Sequence, residues 1–420
     1  LQSCIDYAKE QNITIRKNRI TAASTQIDVK TAKAALFPSL SFSTSQQVVN
    51  RPYQETSSRV SGSEIISSNS KTSYNGNYGL NASWTLYNGN KRLKTIQQEK
   101  LNNQVAELDV ATSENNIQES IAQVYIQILY AAESVKVNES TLQVSIAQRD
   151  RGQELLNAGS IAKSDFAQLE AQVSTDRYQL VTAQATLEDY KLQLKQLLEL
   201  DGENEMNIYL PALSDENVLA PLPTKKDVYI RALSLRPEIE ASKLNVEASE
   251  LGIGIAKSSY LPTISLSAGI GTNHTSGSDF TFGEQVKNGW NNSIGLSVSV
   301  PIFNNRQTKS AVQKAKLQYE TSMLSLLDEQ KALYKTIESL WLDANSAQQR
   351  YAAANEKLKS TQISYELISE QFNLGMKNTI ELLTEKNNLL QAQQEQLQAK
   401  YMAILNMQLL KFYQGDQLAI

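Results

Sequence analysis

The chain is written twice. Leu36-Phe37-Pro38-Ser39-Leu40-Ser41-Phe42-Ser43 returns as Tyr260-Leu261-Pro262-Thr263-Ile264-Ser265-Leu266-Ser267. Leu86-Tyr87-Asn88-Gly89 returns as Ile302-Phe303-Asn304-Asn305, and Leu155-Leu156-Asn157-Ala158-Gly159 as Gln371-Phe372-Asn373-Leu374-Gly375. Three landmarks in one order, at offsets of roughly 216 to 224 residues, mark an internal repeat, and a repeat fixes architecture before any local reading does. Each copy reads as a helix, two strands, a very long helix, a Gly turn and a returning helix.

Residues 1–201 form the first copy: a helix, strands 37–50 and 74–87, a long helix 89–157 and a helix 161–201. A Pro-bearing linker, 202–224, holds Pro211, Pro221 and Pro223. The second copy, 225–413, has a helix to about Ser258, strands 262–273 and 290–302, a long helix 304–373 and a helix 377–413, before a tail at 414–420. The linker and tail are expected to form a belt around the long helices. No Pro falls between Pro52 and Pro211, or after Pro301. Such stretches suit long helices, because Pro inside a helix removes a hydrogen bond and clashes with the preceding turn.

The four strands alternate with period two. Tyr74, Tyr78, Leu80, Ala82, Trp84 and Leu86 oppose Asn75, Asn77, Gly79, Asn81, Ser83 and Thr85, and Trp290, Ile294, Leu296, Val298, Val300 and Ile302 oppose a Ser/Asn/Gly face. Each strand is about 10 residues long, enough for a tilted strand to cross a bilayer. The same alternation serves a soluble sheet with one wet face. Small polar residues on the second face, as a wet lumen prefers, and Tyr74, Trp84, Tyr87 and Trp290 near strand ends favour the membrane. Ser- and Asn-rich segments 50–73 and 273–289 read as long outward loops. Four strands cannot close a barrel, and lipid does not tolerate open edges, so a barrel must be shared between chains.

Each long helix would be roughly 100 Å at about 1.5 Å per residue, which calls for coiled-coil packing. A seven-residue ladder runs through Ile121, Ile128, Val135 and Leu142, and another through Leu326, Leu333, Leu340, Ala347 and Ala354. Such spacing supercoils neighbouring helices left-handedly.

Net charge is −4 with both signs interspersed, which excludes nucleic acid as a partner. No apolar run reaches the length of a membrane-spanning helix. The only histidine, His274, lies in a polar stretch, and with one cysteine there is little for a metal site, acid–base catalysis or a disulfide framework, so neither enzyme activity nor a cofactor is expected. Gly252-x-Gly254 falls within a helical pattern, not a phosphate loop. Cys4 follows Leu1-Gln2-Ser3, loosely a lipoprotein cleavage box, but is expected on the first helix, whose apolar seam continues at Ile13, Ile20 and Ile27.

The ordered, duplicated landmarks resemble those of the TolC-like outer-membrane efflux proteins over essentially the whole chain, as does the opening Cys4-Ile5-Asp6-Tyr7-Ala8-Lys9-Glu10-Gln11-Asn12. The resemblance implies a membrane α+β fold. Four strands per chain would make a twelve-stranded barrel shared by a homotrimer, continued by an α-helical coiled-coil tunnel across the periplasm of a Gram-negative bacterium. It implies an export duct without catalytic activity, with outer-membrane lipid, a periplasmic adaptor protein and an inner-membrane transporter of RND or ABC type as partners. Gly159 and Gly375 would be helix-tip turns for adaptor docking. Asp165 and Glu381, each six residues after its Gly, would ring the entrance. Lys377 would fill a basic position that reaches the acid of the first turn, and Phe372 an aromatic one, without a hydroxyl. An acid near a helix N-terminus can equally do no more than complement the helix dipole. The alternative is a structural or adhesive trimeric coiled-coil protein with a barrel anchor. Such adhesins collect their strands at one end of the chain, whereas here strand pairs alternate with helices.

Overall fold

In the computed structural model, the described residues are 1–53, 57–61, 64–68, 71–201, 208–209 and 218–418. The repeat is carried into three dimensions almost residue for residue. Helices α1 (Gln2–Gln11) and α2 (Ile13–Ala34) lead to strand β1 (Ser39–Asn50), the short pair β2 (Ser57–Ser61) and β3 (Glu64–Ser68), and β4 (Thr72–Asn88). Then come α3 (Lys91–Asn157) and α4 (Lys163–Leu197). The second copy runs α5 (Lys225–Leu235), α6 (Pro237–Ser258), β5 (Thr263–Thr275), α7 (Phe282–Asn288), β6 (Asn291–Ser299), α8 (Gln307–Asn373) and α9 (Thr379–Tyr413). Helices α3 and α8 both have 67 residues, and α4 and α9 both have 35.

The chain divides into two compact units. One comprises residues 23–104 and 243–324 and holds an antiparallel sheet in the order β1-β4-β5-β6. Its register stacks like with like. Leu40, Ala82, Ala268 and Ile294 form one row, and Trp84, Leu266 and Leu296 another. On the opposite face Ser41, Asn81, Gly269 and Ser293 align, as do Ser43, Gly79, Gly271 and Asn291. The apolar face is bare: Phe42 is 68% exposed and Ile294 78%. Neither β1 nor β6 has a partner on its outer edge among the described residues. A bulge between Thr85 and Tyr87 shifts the register where β4 leaves the sheet.

Three features depart from the sequence reading in this unit. The segment 50–73, expected as a loop, carries the pair β2–β3, and 273–289 carries α7. Thr281 and Glu284 explain α7: the Thr281 hydroxyl accepts from the Glu284 N–H, and the Glu284 carboxylate accepts from the Thr281 N–H at 2.8 Å. His274 is not in a loop. It sits on β5 opposite Gly76, ringed by Tyr74, Tyr78 and Phe282 at centroid separations of 5.2, 6.0 and 5.1 Å. The last strand ends at Ser299, leaving Val300 and Ile302 outside it, because Pro301 cannot donate to the ladder.

The other unit comprises residues 1–22, 105–242 and 325–420. Its main cluster buries Ile121, Ile128 and Leu129 of α3 with Leu194 of α4, Tyr351 of α8, Tyr401 and Leu409 of α9, and Ile5 and Ala8 of α1. A second joins Val228, Ala232 and Ile239 to Leu333, Ile337, Ala344 and Leu410. The ladders thus reach the core at Ile121, Ile128, Leu142, Leu333, Ala347 and Ala354. Gln348 donates to the Val218 and Ala220 carbonyls, and the Trp341 indole to the Pro223 carbonyl, pinning the end of the linker to α8. Most of the linker, including Pro211, lies outside the described residues.

Neither opening helix is continuous. Pro237 forces Arg236 into the extended region (φ −76°, ψ 124°), and the break places the buried Arg236 guanidinium on Glu119 at 2.8 Å and Glu238 at 2.9 Å. Asn12 makes the matching break in the first copy. Its Oδ1 accepts from the Thr14 N–H at 2.9 Å, and its Nδ2 donates to the Leu197 carbonyl at 3.1 Å. The expected apolar seam of this stretch faces outward, with Ile13, Ile20 and Ile27 at 48%, 70% and 60% exposure, while Ile5, Ile15 and Val29 are buried. Cys4 lies on α1.

Asn12 therefore caps one helix and closes the end of another. Asn12→Ala should cost about 1–2 kcal/mol, the sum of a lost N-cap and a half-buried carbonyl left unpaired. Asn12→Asp should recover part of that cost, since it keeps the acceptor alone. Denaturant midpoints of the purified protein check both.

Candidate functional site

The two Gly turns are built alike. At the first, Gly159 has φ 73°, its N–H donates to the Leu156 carbonyl at 3.0 Å, and the Ser160 N–H donates to Leu155 at 2.8 Å. At the second, Gly375 has φ 74°, with Gly375 N–H to Phe372 at 2.9 Å and Met376 N–H to Gln371 at 2.8 Å. This pair of bonds is the Schellman ending of a helix, which needs a left-handed residue at its centre. Nothing lies within 4 Å of where a Cβ would stand at either Gly, so backbone conformation alone selects glycine there.

Asp165 and Glu381 occupy the same position, the third residue of the returning helix, with unequal surroundings. Asp165 accepts from the Ala162 N–H at 3.3 Å, and since alanine has no acceptor, half of a capping box is made. Glu381 has the whole box: Asn378 Oδ1 accepts from the Glu381 N–H at 2.9 Å, and Glu381 Oε2 accepts from the Asn378 N–H at 3.2 Å. Lys377 Nζ adds an ion pair to Glu381 Oε1 at 2.6 Å. That ammonium, and next the Asn378 N–H, hold the Glu381 carboxyl below the usual glutamate range.

The resemblance had Lys377 reaching the acid of the first turn. Within the chain its partner is Glu381 of its own turn: Lys377 lies just before the Asn378 N-cap, and the capping box turns the Glu381 carboxylate back toward it. Phe372 is buried at 3% exposure, and Leu374, Met376 and Ile380 stand out at 69%, 71% and 61%, an apolar cap on the second turn. The turns thus carry an acid and a base each, Asp165 with Lys163 and Glu381 with Lys377, and one apolar cap.

Sequence reading missed a polar node behind the turns. Lys386 of α9, Asp176 of α4 and Ser145 of α3 meet there, buried: the Lys386 ammonium donates to Asp176 Oδ2 and Ser145 Oγ, and the Ser145 hydroxyl donates to the same carboxylate oxygen. Gln172 holds the other carboxylate oxygen at 2.9 Å. Burial pushes the Lys386 ammonium below the usual lysine range, against the pull of Asp176. Beside the node, Gln148 of α3 donates to the Tyr365 hydroxyl of α8 at 2.8 Å. A signal was present: Leu169-Val173-Asp176 and Thr379-Leu382-Lys386 step by three and four residues, so each charge stands on an otherwise buried stripe.

Glu381 should remain charged below the usual glutamate value of about 4.3. A carboxyl depressed in the folded state contributes stability above its unfolded value and loses it as pH falls through its folded value. Lys377→Met removes the largest cause, so the Glu381 titration should move up toward the usual value. A carboxyl carbon chemical-shift titration of wild type and variant checks it, and coincident curves would contradict the assignment.

No helix among the described residues is long and apolar enough to cross a membrane. The family model described as outer membrane efflux protein matches residues 4–199 and 228–415, one segment per copy. Outer membrane efflux protein BepC of Brucella suis is 24% identical over 69% of this chain and 60% of its own length. Outer membrane protein TolC of Escherichia coli K12 is 23% identical over 72% of this chain and 62% of its own. The chain thus spans about three fifths of the length of these two relatives. Among solved structures, a crystal structure of CusC superposes with a TM-score of 0.83 at 19% identity, covering 99% of this chain and 92% of that one. With both copies of the repeat matched and the fold shared along almost its whole length, the chain belongs to the outer membrane efflux protein family.

Proposed function

We propose that this chain is one protomer of a trimeric exit duct in the outer membrane, passing small molecules or secreted protein outward from a periplasmic pump. The observation that carries the reading is the four-stranded sheet, with both edges unpaired among the described residues and one bare apolar face. In lipid every edge N–H and C=O needs a partner, and only closure supplies them all. Three copies bring twelve strands, an ordinary number for an outer-membrane barrel. The Ser/Asn/Gly face would line the lumen and the Leu/Ile/Phe face would meet lipid.

The turns at Gly159 and Gly375 are the proposed periplasmic entrance. Three copies of Asp165 and Glu381 would concentrate negative potential there and draw cations in. The exposed Leu374, Met376 and Ile380 offer a periplasmic adaptor an apolar seat, and an inner-membrane transporter would set the cargo. No step in this passage needs a catalytic group or a cofactor.

Purified trimer should conduct ions in planar bilayers, and the absence of any conductance would overturn the duct. Asp165→Asn with Glu381→Gln should lower cation selectivity while leaving the barrel folded. Unchanged selectivity would remove these two acids from the entrance.

A further inference from the structure

The polar node poses a question that the duct alone does not answer. A lysine and an aspartate, each 3% exposed, are costly to bury, and the fold has an uncharged way to fill such a position. The repeat-equivalent of Asp176 is Ala392, also buried, and the equivalent of Lys386 is Glu170. The charged pair is thus an addition made once in a molecule that is otherwise written twice.

Its placement separates it from the other ion pairs near the turns. Helices α3 and α4 form one hairpin, closed at Gly159, and α8 and α9 form the other, closed at Gly375. Ser145 and Asp176 belong to the first and Lys386 to the second. At the same level Gln172 also reaches Asn387 at 3.4 Å, and Gln148 reaches Tyr365. Nearer the turns, every ion pair and side-chain hydrogen bond among the described residues stays within its own hairpin: Arg151 with Glu154, Asp165 with Ala162, Lys377 with Glu381. Lys386 lies eleven residues past Gly375 and seven past the start of α9 at Thr379, roughly 10 Å along the helix.

We propose that Lys386, Asp176 and Ser145 are the fulcrum of the entrance: they hold the two hairpins together at this level and leave the segments nearer the turns free to part. The inference rests on the reading of the turns as an entrance. Parting the hairpins at the node would break both bonds of the Lys386 ammonium, to Asp176 and to Ser145, whereas parting them below it breaks no ion pair or side-chain hydrogen bond between hairpins among the described residues. Separation of the tips therefore stops at the node, which positions the acids of the two turns relative to each other.

The test is amide hydrogen exchange on the intact protein, with two variants that remove the tie without orphaning a charge. Asp176→Leu with Lys386→Met fills the site with apolar groups. Asp176→Asn with Lys386→Gln keeps its volume and carries the test if the apolar pair does not fold. Exchange should rise several-fold in residues 149–171 and 366–385 and stay at the wild-type rate in residues 121–132. Wild-type exchange at the tips of a folded variant would overturn the fulcrum. So would acceleration spread evenly over both regions with a lower melting temperature, the mark of a purely structural pair. Conductance is read separately: a wild-type trimer that fails to conduct counts against the duct and leaves the exchange result standing.

Discussion

Backbone hydrogen bonding at the two outer edges of the sheet is the constraint on which the rest depends. Strands β1 and β6 each present a row of N–H and C=O groups with no strand partner among the described residues, beside a face of Leu, Ile and Phe that is bare. A soluble sheet in that condition aggregates, and a membrane sheet is not tolerated at all. The proposed arrangement, in which β1 of one copy joins β6 of the next until the ring closes, relieves both problems at once. The strand count per chain, the polar second face and the need for several copies all follow from that demand.

Duplication lets one solution serve twice. Helices of equal length, matching Schellman endings and equivalent acids put the same turn at the end of each hairpin. The copies then diverge where identity would be unhelpful. The second turn carries a full capping box, a base paired with its acid and an apolar cap, while the first carries an acid with half a box and, two residues before it, Lys163. Asp176 and Lys386 diverge further, each facing a hairpin that is not its own. A strict repeat would offer two alike surfaces, and the departures from it make one hairpin recognisable from the other.

Periodicity is why so much was legible. The two-residue alternation of β4 and the seven-residue ladder through Ile121 and Ile128 are consequences of strand and helix geometry, so the elements could be read from spacing alone. Reading failed where a contact distant in sequence decided the outcome. Ile13, Ile20 and Ile27 have the spacing of a buried seam yet face outward, because the opposite face of the helix, with Ile15 and Val29, is the buried one. His274 looked like a loop residue because its neighbours are polar, but pairing with Gly76 draws it into the sheet and under Phe282. Arg236 was read through as helix although Pro237 follows it, and its pairing with Glu119 and Glu238 could not be foreseen from spacing.

By itself, the sequence determined the repeat, the order of the long helices and the four main strands, the faces of those strands, the two turns and the acids that follow them. Each depends on residues within a few positions of one another, or on a pattern copied once along the chain. Tertiary structure alone decided which partner each charge takes. Lys386 crossed to Asp176 and Ser145 of the other hairpin, and Arg236 took Glu119 of α3, whereas Lys377 kept to Glu381 four residues away. The physical reason is that an ion pair is fixed by which helices pack together and how much water they exclude, and neither is written in local spacing.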